Sequence, residues 1–141
     1  MNAQGGVLKK RLGIVLLTGM LATPLLSQAS VVDEQLASYR ASGAGPFSAQ
    51  AGGQLWQQEV VNARDGQARS CTTCHGRDLQ GVGKHAKTGK AIKPLSTKVN
   101  AERLSDAKTI RKWFRRNCKW TWGRECTAQE KGDLLSFIQS Q

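Results

Sequence analysis

The pentapeptide Cys71-Thr72-Thr73-Cys74-His75 constrains this chain more than any other stretch. C-x-x-C-H is the attachment signal for a c-type haem. The two thiols add to the haem vinyl groups as thioethers, and two intervening residues match the separation of those groups. The histidine then supplies the proximal nitrogen to iron. A thioredoxin-like C-x-x-C and half of a zinc site are the alternatives. A zinc site needs a second Cys/His pair at ligand spacing, and Cys118 and Cys126 do not form one.

The N-terminal stretch is expected to be a targeting segment. Lys9, Lys10 and Arg11 form its positive region, Leu12 to Leu26 its apolar core, and Ser27-Gln28-Ala29 a small-x-small cleavage site. The apolar run falls short of the roughly 20 residues a spanning helix needs. Cleavage after Ala29 would leave a soluble domain over residues 30–141, with no stable membrane insertion. The expected compartment is the periplasm, since haem attachment to this motif in bacteria takes place outside the cytoplasm. Losing Lys9, Lys10 and Arg11 lowers the net charge from +11 to +8. A basic domain suits an acidic protein partner or an anionic surface, and no nucleic-acid motif accompanies it. With Cys71 and Cys74 committed to haem, Cys118 and Cys126 remain as an even pair in an oxidising compartment, which predicts a disulfide between them.

The pattern predicts helices. Val31 to Ser42 reads as a short one, with Asp33 and Glu34 in its first turn and Gly43 ending it. Ser48 caps a second, expected to run to about Val61, with Ala51, Leu55 and Trp56 on its apolar face. Gly52 precedes Trp56 by one turn, so this face permits close approach by another helix. Residues 62–70 read as a polar lead-in to the haem motif. Residues 76–100, punctuated by Gly76, Gly81, Gly83, Gly89 and Pro94, read as irregular chain around the haem edge. Ser105 is the expected N-cap of the next helix, whose buried face is Ile110, Trp113 and Phe114 and whose opposite side carries Lys108, Arg111, Lys112, Arg115 and Arg116. Thr127 and Glu130 form a capping box for the last helix, with Leu134, Leu135 and Ile138 as its stripe. Helices around an early C-x-x-C-H predict an all-α, class I cytochrome c-like domain around one covalently bound haem. In that architecture the first and last helices cross. A four-helix cytochrome c′ would carry its motif near the C-terminus.

The usual partner of the haem histidine in an electron-transfer cytochrome is methionine. The only methionines, Met1 and Met20, lie in the segment expected to be removed. His85, a lysine, an open or water-filled position and Asn117 are the remaining candidates. His85 sits in a Gly- and Lys-rich loop and reads as a surface residue. Asn117 shares a helix face with Trp113 and Phe114; a helix C-cap is its other reading.

The block Asn117-Cys118-Lys119-Trp120-Thr121-Trp122-Gly123-Arg124-Glu125-Cys126-Thr127, with Trp113-Phe114-Arg115-Arg116 before it and the haem motif upstream, resembles the SHP family of cytochromes c. The likeness extends over nearly the whole chain after Ala29. It implies a class I fold, Asn117 as sixth haem ligand and a Cys118–Cys126 bridge closing the adjacent loop. It also implies binding of O2, NO or CO at ferrous haem, and electron exchange with a dihaem cytochrome c and a membrane cytochrome b. An amide oxygen is a hard, weak donor that suits Fe(III) better than Fe(II), so reduction is expected to release it. Pro94 is a candidate acceptor for the proton on His75 Nδ1, and Trp113 and Phe114 are candidates for packing near the haem. Lys84, Lys87, Lys90 and Lys93 recur in one loop, where they could dock an acidic partner. The functional expectation is a haem electron carrier that binds a diatomic gas. An enzyme acting on NO or a reactive oxygen species, and a plain low-spin carrier, are the alternatives.

Overall fold

Two helices meet at a glycine to form the framework. Ser48 accepts the Ala51 N–H and starts α2 (Ala49–Gln57). A methyl group on Gly52 would sit 2.0 Å from the backbone oxygen of Asp133 in α5 (Ala128–Ser140). The two backbones therefore touch where no side chain fits between them. The computed structural model describes Met1 and residues 30–141; the leader expected over residues 1–29 and its cleavage after Ala29 lie outside the described residues. Buried Asp133 joins the same pair of helices: its Oδ1 accepts the Ser48 N–H at 2.8 Å, and Gln129 Nε2 donates to it at 3.1 Å.

The described elements run α1 (Val31–Ala41), α2, β1 (Val60–Val61), β2 (Ala68–Arg69), α3 (Thr72–His75), β3 (Gly83–Lys84), β4 (Ala91–Ile92), α4 (Ala107–Trp122) and α5. The fold is mostly helical, with two small antiparallel ribbons, β1–β2 and β3–β4. Ser30 and Asp33 close a capping box on α1, and Thr127 and Glu130 close the one expected on α5.

Two apolar clusters share the interior. One centres on Trp56, Leu79, Trp122, Leu134 and the Cys118–Cys126 disulfide. The other joins α1 to α4 and α5 through Val32, Leu36, Tyr39, Ile110 and Leu135. Each large buried side chain contributes about 1.5–3 kcal/mol by leaving water.

Several expectations need correction. α2 ends at Gln57 rather than Val61, because Val60 and Val61 turn extended and pair with Arg69 and Ala68. Residues 76–100 are not wholly irregular: β3 and β4 form a hairpin there. The N-cap of α4 is Asp106, which accepts the Thr109 N–H at 2.7 Å, whereas the Ser105 hydroxyl turns back to the Glu102 carbonyl. α4 continues past Asn117 to Trp122 and ends in the left-handed Gly123, so Asn117 is not a C-cap. Trp113 is 45% exposed rather than buried, flanked by Arg116 and Lys112 over its ring; Ile110, Cys118, Thr121 and Trp122 form the buried side of α4.

Candidate haem site

The haem motif occupies a single helical turn. Cys71 begins it, and His75 N–H donates to the Cys71 carbonyl at 3.2 Å. The two threonines inside the motif hold its entry. Thr73 Oγ1 accepts the N–H of buried Ser70 at 3.0 Å, and the Thr72 and Ser70 hydroxyls lie 2.6 Å apart. The exit is held by Trp56, whose indole N–H donates to the Gly76 carbonyl at 3.0 Å and whose ring centre lies 5.5 Å from that of His75. The crossing helix α2 thus positions the residue that follows the motif. The β3–β4 hairpin closes the other side: a side chain on Gly83 would meet the Cys74 carbonyl at 2.5 Å, and Ala86 N–H donates to Cys74 Sγ at 3.4 Å.

The donor set fits haem c. Cys71 and Cys74 are free, half-buried thiols one turn apart. Burial pushes the Cys71 thiol up to about 12, so it stays protonated in apolar surroundings. Burial, helped by the charge of Arg103, pushes His75 down to about 4. Its imidazole is neutral at physiological pH and keeps a lone pair for a metal. Among the described residues no cluster of three or more His, Cys, Asp or Glu side chains is placed to hold a bare metal ion.

Pro94 lies near this turn through Arg103. Its carbonyl accepts Arg103 Nε–H at 2.8 Å and Asn100 Nδ2–H at 3.1 Å, and Arg103 also donates to the Lys93 carbonyl at 2.7 Å. Arg103 and Asn100 thus supply the donors expected from His75. Neither was singled out by the sequence, where they sit in an unpatterned stretch.

Asn117 is half-buried on α4, and its side-chain amide has no hydrogen-bond partner among the described residues. Phe114, one turn earlier, packs against both apolar clusters. Cys118, next in sequence, is buried and bonded to Cys126, with a Cα–Cα distance of 5.6 Å. The segment before the haem motif also grips this end of α4. Asn62 Nδ2 donates to the Trp120 carbonyl at 2.8 Å, Arg69 donates to the same oxygen at 3.1 Å, and the Arg69 guanidinium lies 4.5 Å from the Trp120 ring centre. Asn62 is 2% exposed, yet the sequence offered no signal to separate it from a turn asparagine. His85 is exposed in the β3–β4 hairpin, with Nδ1 accepting the Thr88 N–H at 3.2 Å.

A family described as "Domain of unknown function (DUF1924)" matches residues 42–138. The chain is 35% identical over 127 residues to the cytochrome c-type protein SHP of Cereibacter sphaeroides, covering 90% of this chain and 97% of that protein. The chain belongs to the SHP family of cytochromes c. Its fold matches that of oxidised SHP, described as an oxygen-binding cytochrome c, with a TM-score of 0.71 and 34% identity over 81% of this chain and 100% of that one. It is also similar to oxidised cytochrome c″ from Methylophilus methylotrophus, with a TM-score of 0.68 and 25% identity over 79% of this chain and 94% of that one. These relatives are c-type cytochromes, and the cofactor implied for this SHP-family chain is covalently bound haem c. No helix among the described residues is long and apolar enough to cross a membrane.

Proposed function

We propose that this protein is an exported, periplasmic, monohaem cytochrome c of class I architecture that carries electrons and opens a binding position for a diatomic gas when reduced. One observation carries the reading: half-buried Asn117, whose amide has no hydrogen-bond partner among the described residues, stands on a helix whose next residue is fixed by the Cys118–Cys126 disulfide. Haem c would supply an iron able to change between the ferric and ferrous states. Cys71 and Cys74 hold the group through thioethers, and His75 offers a neutral imidazole. Asn117 would offer its amide oxygen as the second protein ligand. Such a hard, neutral oxygen would favour ferric over ferrous iron, so that reduction would leave a position for O2, NO or CO. Phe114 backs α4 at this point, and Trp113 stands one turn before Asn117 at the exposed edge. His85 is a poorer candidate, since it is exposed and one ring nitrogen already accepts a backbone N–H.

Lys84, Lys87 and Lys90 are exposed in and around the hairpin that covers Cys74, and Lys93 follows it. They suit docking of an acidic redox partner, for which a dihaem cytochrome c and a membrane cytochrome b are the proposed electron-exchange proteins.

The test is the visible spectrum of the oxidised and reduced holoprotein, before and after CO, for the wild type and Asn117→Ala. A high-spin ferrous wild type that binds CO promptly supports release of the sixth ligand. Asn117→Ala is expected to change the ferric spectrum and leave ferrous CO binding largely intact. An unchanged ferric spectrum would remove Asn117 from the coordination sphere. Sustained consumption of NO or a reduced-oxygen species with an electron donor would make the protein an enzyme instead.

A further inference from the structure

Away from the haem motif, a cavity of about 400 Å³ opens beside α1, α4 and α5. Lys108, Arg111, Lys112, Arg115 and Lys131 line it. None of these five cations pairs with a carboxylate within salt-bridge distance among the described residues. Among the described residues Glu125 is the one carboxylate in the wall; Lys119 holds it at 3.1 Å, and the charges of Lys131 and Arg115 act on it as well. Like charges gathered on one concave surface raise the local potential and draw in anions.

Tyr39 adds an independent observation. Its side chain lines the same cavity and is only 9% exposed. Its hydroxyl is buried and has no hydrogen-bond partner among the described residues. A buried O–H without an acceptor is uncommon. Here it sits beside cationic groups that can donate and cannot accept. One carboxylate, Glu125, faces five cations and the Tyr39 hydroxyl, so the wall is short of acceptor oxygens.

We propose that this cavity binds a multivalent phosphate-type oxyanion. Arg111 and Arg115 supply planar forks that match phosphoryl oxygens, the lysines supply point charges, and the Tyr39 hydroxyl donates from the wall. The volume exceeds that of a single phosphate ion and suits a small molecule bearing phosphoryl groups. The cavity shares Phe114 with the side of α4 that carries Asn117, but its cations lie on a different face. Arg115 precedes Asn117 by two residues, which places it about 200° further round α4. The phosphoryl group could belong to a soluble polyphosphate or to the headgroup of an anionic lipid, and the two sources are separable by experiment.

The experiment is calorimetric titration of the holoprotein with inorganic pyrophosphate at low ionic strength, alongside sedimentation with vesicles of phosphatidylcholine alone or mixed with phosphatidylglycerol. The variants are Tyr39→Phe, which keeps the ring, Arg111→Gln, and the exposed Lys98→Gln outside the cavity as a charge control. One saturable pyrophosphate site is expected. Tyr39→Phe is expected to weaken it about tenfold, the worth of one hydrogen bond to a charged acceptor, and Arg111→Gln by at least as much. Lys98→Gln is expected to bind as the wild type does. Pyrophosphate binding without vesicle binding points to a soluble ligand. Vesicle binding that depends on phosphatidylglycerol, weakens in Tyr39→Phe and is displaced by pyrophosphate points to a lipid headgroup. The proposal is overturned if pyrophosphate does not bind, if Tyr39→Phe binds it as tightly as wild type, or if Lys98→Gln loses as much as Arg111→Gln.

Discussion

Replacing Gly52 with Ala tests the contact on which the fold is built. The added methyl would lie 2.0 Å from the Asp133 backbone oxygen, 2.5 Å from its carbonyl carbon and 2.7 Å from Phe137 Cβ. An unstrained carbon-to-oxygen approach is about 3.3 Å, so the helices must part by about 1.3 Å. A backbone carbonyl cannot rotate away as a side-chain tip can. Separation would also loosen the Ser48 N–H to Asp133 bond and the packing of buried Trp56. Overpacking typically costs about 1–3 kcal/mol and sometimes more, and a rigid obstacle places this case at the upper end. Ala gains about 1 kcal/mol over Gly in helix propensity. The net expectation is a loss of about 2–3 kcal/mol. Gly53→Ala provides the matched control: its methyl would meet the Phe137 ring at 3.2 Å, and a ring edge can give way. That variant is expected within about 1 kcal/mol of wild type, because the propensity gain offsets a mild contact. The assay is guanidinium denaturation of the holoproteins followed by circular dichroism. The reasoning fails if Gly52→Ala is as stable as wild type, or if the two variants lose equally.

Replacing both Cys118 and Cys126 with Ala frees a bridge that spans a sequence separation of 8. Loop-closure entropy alone predicts a loss of about 2.5 kcal/mol, measurable by urea denaturation; a loss under about 1 kcal/mol would contradict it. Glu130 joins Arg124 through two oxygens and caps α5, and the hydrogen bond from Arg124 chiefly holds its carboxyl below the usual carboxylate range, against a smaller opposing effect of burial. A carboxylate depressed in the folded state stabilises above its unfolded value and loses that contribution as pH falls through its folded value. Wild type is therefore expected to exceed Glu130→Gln by about 0.5–1 kcal/mol near neutral pH, the worth of a negative charge at the helix N-terminus and beside Arg124, since Gln can still accept the Thr127 N–H. The gap is expected to shrink in acid; a gap that persists or widens there would refute the assignment.

Residue types with strong local rules could be read from the sequence. Ser48 and the Thr127–Glu130 box start their helices where expected, and Gly52 marks the helix crossing. With the haem motif claiming two of the four cysteines, Cys118 and Cys126 are the pair left to bridge, and they are bridged. Strands of two residues escaped notice because Val60–Val61 and Gly83–Lys84 are too short to show alternation. The end of α2 moved for the same reason, since Ala68 and Arg69, across a short hairpin, pair with the residues expected to extend it. Ser105 and Asp106 are both competent caps, and only the backbone geometry decides between them. Trp113 was misplaced because its spacing from Ile110 suits a buried stripe, but the tertiary packing turns that stripe towards Phe114 and Cys118. The roles of Asn62, Asn100 and Arg103 depend on partners brought together by folding, for which a single sequence carries no periodic signal.

The unbroken course of α4 through Asn117 bears on kinetics. The residue stands inside a helix closed by Gly123, tied at Cys118 and gripped at the Trp120 carbonyl from two sides. No hinge separates it from that frame. A group carried there can retreat only by turning about its own side-chain bonds, a motion of picoseconds to nanoseconds where space allows. Opening of the position would then follow electron arrival without a slow backbone phase. Gas capture after rapid reduction is accordingly expected to depend on gas concentration, with no plateau set by a conformational step.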